Sequence, residues 1–173
     1  MPKNLKKALS AIFFIVVIAL SIAYSQSQNS SKSTQALFAA SFPDEKGQVL
    51  ALKQYAGKIV VLNFWATWCE PCRDEMPELS TLHSESKNKN IVVLGLAIDD
   101  VNAINEFSKQ TKVSYPLFAA DMQGMELASN LGNDKGVLPY TVIIKADGSV
   151  AKTYFGRVTK PLLEETLLKI SQK

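Results

Sequence analysis

Two runs constrain the fold of this chain more than any other feature: Ile59-Val60-Val61-Leu62-Asn63-Phe64-Trp65-Ala66 and Ile91-Val92-Val93-Leu94-Gly95-Leu96-Ala97-Ile98. Both are dense in β-branched and other apolar residues and show no polar alternation. A strand with one wet face alternates, whereas a nearly unbroken apolar strand is covered on both faces. The neighbouring segments supply the cover. From about Cys69 to Ser86, Met76, Leu79 and Leu82 recur at helical spacing, with Asp74, Glu78 and Glu85 falling elsewhere. Asp99-Asp100 ends the second run, and Val101 to Lys112 reads as an amphipathic helix through Val101, Ile104 and Phe107. Tyr115 to Ala119 is a short strand, and Gln123 to Leu131 is a short helix stopped by Gly132. Tyr140–Lys145 and Val150–Phe155 form a hairpin about Asp147-Gly148. Lys160 to Ser171 closes as a helix, with Pro161 in its first turn and Leu163, Leu167 and Ile170 on one face. Upstream, Ala36 to Lys58 is broken by Pro43, Asp44, Gly47 and Gly57, which gives a short hairpin or edge strand and then a helical turn near Leu52–Tyr55. The class is α/β, a sheet with helices on both faces. At 173 residues the chain can hold one such domain with a proper core, plus extra segments.

The N-terminus is of another kind. Met1 to Lys7 carry three lysines, and Ala8 to Tyr24 then run seventeen residues without a charge. As a helix this run spans roughly 26 Å at about 1.5 Å per residue. That is slightly short of a bilayer core of about 30 Å and slightly long for a signal-peptide apolar region. Residues 1–25 therefore read as a signal peptide or an N-terminal membrane anchor, and with either one the remaining chain is exported. The leading lysines keep the N-terminus in the cytoplasm. Gln26 to Gln35 has no apolar residue and reads as a flexible linker, which leaves 36–173 as the domain. The net charge of +3 comes from this leader: Lys3, Lys6, Lys7 and Lys32 precede Ala36, which leaves 15 of the 19 bases against all 16 acids. A nearly neutral domain with mixed charges gives no sign of nucleic-acid binding.

Both cysteines lie in Trp68-Cys69-Glu70-Pro71-Cys72, where the first apolar run gives way to the helical pattern. A disulfide between them closes too small a loop to stabilise a fold much, and zinc would need four ligands where only His83 could join two thiols. A reversible disulfide is the remaining chemistry. Cys69 falls where helix N–H groups and the helix dipole favour a thiolate, and Cys72 sits one turn further in. This assigns attack on a substrate disulfide to Cys69 and resolution of the mixed disulfide to Cys72. Pro71 is tolerated in the first turn and stiffens the spacing. Trp68 belongs to an exposed contact surface and Trp65 to the core. His83 has a solvated or packing role, and Asp99-Asp100 is a strand end.

WCxPC after an apolar strand resembles the thioredoxin superfamily. The stretch Asn63 to Cys72, followed by Glu75, Pro77 and Leu79, resembles its extracytoplasmic TlpA/ResA-like branch, and the resemblance extends over roughly Leu37 to Ile170. It implies a thioredoxin-like fold: a central mixed β-sheet flanked by helices on both faces, with an N-terminal β-hairpin and a central insertion. It also implies a cis-proline opposite the cysteines, matched by Pro139, with Leu138 before it pairing its backbone with substrate. Here Tyr140 follows the proline, where the family usually has Thr. Cytoplasmic thioredoxins carry a buried Asp at the place of Asn63; in the ResA-like branch a Glu three residues after the second cysteine takes a related role, here Glu75. A carboxylate there raises thiol pKa values, and burial raises its own, as suits a proton shuttle in a reductant. The resemblance implies a monomeric thiol–disulfide oxidoreductase with no metal or other cofactor. It would reduce disulfides in exported proteins, apocytochrome c among them, and draw electrons from a transmembrane thiol carrier of the DsbD/CcdA kind. The rivals are an exported disulfide oxidase, a thioredoxin-fold binding module without turnover and, more weakly, a thiol peroxidase.

Overall fold

The structure is a computed structural model that describes residues 3–171. Met1 and Pro2 of the leader, and Gln172 and Lys173 of the domain, lie outside the described residues. The element order is α1 (Lys3–Ala39), β1 (Ser41–Pro43), β2 (Val49–Ala51), a 3-10 turn (Leu52–Tyr55), β3 (Ile59–Trp65), α2 (Glu70–Ser86), β4 (Ile91–Ala97), α3 (Val101–Gln110), β5 (Leu117–Ala119), α4 (Asp121–Asn130), β6 (Tyr140–Ile144), β7 (Val150–Phe155) and α5 (Lys160–Ser171). Five strands form one mixed sheet in the order β5-β4-β3-β6-β7, and β1 pairs with β2 in a separate hairpin. The two apolar runs are β3 and β4, parallel and in register from Ile59↔Ile91 to Trp65↔Ala97. β6 lies antiparallel on the other side of β3, with Phe64 opposite Tyr140.

The apolar runs are covered on both faces, as their composition requires. On one face Val61, Trp65, Val93 and Ala97 pack against Met76, Leu79 and Leu82 of α2, Ile104 of α3 and Leu163 and Leu167 of α5. On the other, Val60, Leu62, Phe64, Leu94 and Leu96 meet Leu37, Phe42, Leu52 and Leu127 and Ala128 of α4. Each buried Val, Leu, Ile, Phe or Met among them contributes roughly 1.5–3 kcal/mol against exposure. Gly95 is the one break in the second run. A Cβ there would stand 2.6 Å from Leu117 Cδ2 and 3.1 Å from Trp65 Nε1, so glycine lets β5 and the indole close on the sheet.

The N-terminal segment departs from expectation. The backbone is helical from Lys3 through Ala39 and continues across Gln26–Gln35, the segment read as a flexible linker. Extending a helix already formed on both sides fixes one residue at a time and needs no new nucleus, so a polar composition alone does not break it. Thr34, two residues before the expected boundary, already packs onto the domain: its hydroxyl donates to the Gly148 carbonyl at 2.7 Å, and Leu37 is fully buried. Ile12 to Leu20 and Ile22 are exposed. Among the described residues no helix is long and apolar enough to cross a membrane.

Candidate active site

The strand-to-helix junction forms because β3 ends at Trp65 and α2 begins at Glu70, with Cys69 as the N-cap residue and Pro71 in the first turn. Two contacts hold the turn between them. The Cys69 N–H donates to Ala66 O at 3.1 Å, and the Thr67 N–H donates to Asp99 Oδ2 at 2.6 Å. Cys69 and Cys72 are joined as a disulfide with their Cα atoms 5.3 Å apart. Cys69 keeps 6% exposure and Cys72 none, so Cys69 offers the accessible sulfur. Trp68 projects beside it, 69% exposed, while Trp65 is buried and lies against Phe107 with ring centroids 5.0 Å apart.

Glu75 stands three residues after Cys72 and so shares its helix face. It is fully buried. Oε1 accepts from Asn63 Nδ2 at 2.7 Å, and Oε2 accepts from the Val158 N–H at 2.7 Å. The second Asn63 N–H is spent on Thr141 Oγ1 at 3.1 Å. Burial pushes the Glu75 pKa up to about 7, against the opposing pull of the Val158 and Asn63 hydrogen bonds and of nearby Arg157, while Glu78 adds to the rise. A carboxyl poised near neutrality one turn beyond a thiol can take up and return a proton. Asn63 stands where cytoplasmic thioredoxins carry their acid, and here it steadies the acid that sits on the helix.

The Leu138–Pro139 bond is cis. Because Phe64 pairs with Tyr140, Pro139 stands opposite Trp65, at the end of β3 from which the cysteine turn departs. Leu138 is partly buried and touches both hydrophobic clusters. Tyr140 points to the other face: it is fully buried, stacks on Phe64 with centroids 6.0 Å apart, and its hydroxyl donates to Leu131 O at 2.6 Å. Its departure from the usual Thr therefore serves the core. His83 is committed to the fold as well, since Nδ1 accepts the Val93 N–H at 3.2 Å, and burial followed by Lys87 lowers its pKa. The sequence reading missed Thr141, Val158 and Asn133. The first two lie 78 and 83 residues from their partners, and the third, next to the Gly132 stop, reads in the sequence as an ordinary loop residue.

A sheet of this topology, with a dithiol at the junction of a central strand and its helix and a cis-proline across from it, defines a thioredoxin-like dithiol–disulfide exchange protein. The AhpC/TSA family profile matches residues 34–153. Thiol-disulfide oxidoreductase ResA of Bacillus thuringiensis subsp. konkukian is 38% identical over 129 residues, covering 74% of this chain and 72% of that protein. ResA of Bacillus subtilis is 29% identical over 124 residues, covering 70% and 66%. A secreted thiol-disulfide isomerase from Corynebacterium glutamicum has the same fold, with a TM-score of 0.69 at 24% identity over 79% of this chain and 86% of that one. The chain belongs to the AhpC/TSA family, in its ResA-like branch, and is a thioredoxin-like thiol–disulfide oxidoreductase.

Proposed function

We propose that the protein works outside the cytoplasm as a reductase of disulfides in exported proteins, with Cys69 as nucleophile and Cys72 as resolving thiol. In the reduced protein the Cys69 thiolate attacks one sulfur of a substrate disulfide. A mixed disulfide forms and one substrate thiolate leaves. Cys72, deprotonated toward Glu75, then attacks Cys69 Sγ, which releases the second substrate thiolate and closes the Cys69–Cys72 disulfide. Two electrons pass to the substrate, and the protons of the two thiols end on its sulfurs. Trp68, Leu138 and Pro139 contact the substrate. The spent disulfide needs a dithiol donor, and outside the cytoplasm a transmembrane carrier of the DsbD/CcdA kind can deliver those electrons. Apocytochrome c cysteines awaiting haem are the substrate we put first.

The observation that carries this reading is Glu75, fully buried behind the pair with its pKa at about 7. A strong oxidant keeps its reduced form stabilised as an acidic thiolate, whereas a carboxylate beside the thiols disfavours thiolate. The expected reduction potential is near the thioredoxin value of about −270 mV; a value near −120 mV would assign the protein to oxidation instead. The Cys69→Ser variant should lose insulin reduction altogether, and Cys72→Ser should accumulate mixed disulfides on Cys69, from which mass spectrometry reads both substrate and donor.

A further inference from the structure

The loop entering the cis-proline is bonded unequally. Asn133, 1% exposed, spends its side-chain amide twice on one residue: Nδ2 donates to Val137 O at 2.9 Å, and Oδ1 accepts the Val137 N–H at 3.0 Å. Gly132 and Gly136 make the bends at φ +107° and +62°, a region L side chains rarely adopt. Both backbone polar groups of Val137 are thereby consumed inside the loop. Those of the next residue, Leu138, have no hydrogen-bond partner among the described residues, although its side chain is held by both hydrophobic clusters. A fixed, partly buried residue with an idle donor and acceptor calls for a partner from elsewhere.

We infer that Asn133 is the positioning residue that makes this loop an edge for the main chain of the substrate. The inference rests on the dithiol reading above and deepens it. With Val137 occupied, Leu138 offers the open donor–acceptor pair that adjoins the cis-proline. That pair fits an extended peptide flanking a disulfide-bonded cysteine, added as a short strand. Neighbouring residues of an extended chain aim their N–H and C=O to opposite sides. Val137 therefore turns its own pair away from the peptide, where the Asn133 amide holds it; a loop released from that clamp would let Leu138 shift and carry the peptide's sulfur out of line with Cys69. There is room alongside: a cleft of about 700 Å³ borders the loop at Gly136, lined in part by Met122 and Met125. Methionine side chains adapt to apolar partners of varied shape.

The test compares two disulfides on the full-length protein: insulin, which has a main chain to pair, and 5,5′-dithiobis(2-nitrobenzoate), which has none. Asn133→Ala should lower kcat/KM for insulin about tenfold, mostly through KM. The rate on the small disulfide and the reduction potential should stay at wild-type values. Asn133→Asp, which keeps the acceptor for the Val137 N–H and loses the donor, should fall between. Equal losses on both disulfides, a shifted potential, or no loss on insulin would overturn the inference. A second measurement does not depend on either variant folding. In Cys72→Ser protein, amide exchange at Leu138 should slow once a cysteine peptide is trapped on Cys69, while Val137, already bonded, should not change; unchanged exchange at Leu138 also overturns it. A wild-type protein inert toward both disulfides would instead sink the dithiol reading itself.

Discussion

Glu75 sits in an environment far from the one its type prefers. Its carboxyl is fully buried, and its two hydrogen bonds favour the charged form, yet burial outweighs them and the pKa stands at about 7 against 4.5 unperturbed. The linkage sign follows. Between about 4.5 and about 7 the folded protein holds a proton that the unfolded chain has released, so stability falls as pH rises through that window and the loss is complete above it. The full effect is roughly 3 kcal/mol. Glu75→Gln removes the titration. It also loses one hydrogen bond, because an amide accepts at only one end, where Asn63 and Val158 both donate; that costs about 1 kcal/mol at every pH. The prediction therefore concerns slope. Urea unfolding of the oxidised protein from pH 4 to 9 should show the wild type losing stability across the window relative to the variant, since every other titrating group is common to both. Parallel curves would mean that Glu75 is ionised throughout and cannot shuttle a proton at neutral pH.

At the scale of elements, two adjacent acids at the end of β4 do different work. Asp100 caps α3, with Oδ1 accepting the Ala103 N–H at 2.9 Å, whereas Asp99 reaches across to the cysteine turn through Thr67. Asp100→Ala should cost about 1 kcal/mol of stability and leave insulin reduction at the wild-type rate. Asp99→Ala should slow reduction several-fold at a comparable loss of stability, because the turn presenting Trp68 and Cys69 is freed; chemical denaturation and the insulin assay on the same samples separate the two. The pair read correctly as a strand end, but which acid crossed to which turn was invisible, since sequence order carries no register between strand ends. The strands themselves were legible because burial on both faces leaves a compositional mark that periodicity cannot blur. Edges slipped where a local group decided them. β5 begins at Leu117 and not at Tyr115, since Pro116 has no N–H for the ladder and contributes its carbonyl to Gly95. α3 ends at Gln110 and not at Lys112, where Thr111 turns extended. Cys69 and Cys72 were legible because their chemistry is local, and the cis-proline because the family resemblance implies it. The clamp on Val137 and the far partners of Glu75 depend on contacts that exist only once the chain has folded.

For the whole molecule, the two ends of β3 define two poles. Cys69 follows its C-terminal end. The β6–β7 turn lies at its start, because Val60 pairs with Ile144, and Thr34 of α1 bonds Gly148 in that turn. The chain preceding Thr34 thus leaves the domain at the pole opposite the disulfide. If the apolar run Ala8–Tyr24 is retained as an anchor, the dithiol faces away from the bilayer, toward proteins emerging on the outer side. The run is a little short for the hydrocarbon core, a mismatch of a few ångströms that a bilayer accommodates by thinning, with the lysines before the run reaching the headgroups. With such an anchor, the full-length chain expressed in bacteria should remain with membranes through an alkaline wash, while a chain beginning at Ser33, which retains Thr34 and the buried Leu37, should be soluble and reduce insulin at the full-length rate. Recovery of the full-length product as a soluble protein shortened by about 25 residues would show instead that the run is a cleaved signal. In that event the opposed poles would carry no orientation, and the dithiol would reach its electron donor by diffusion.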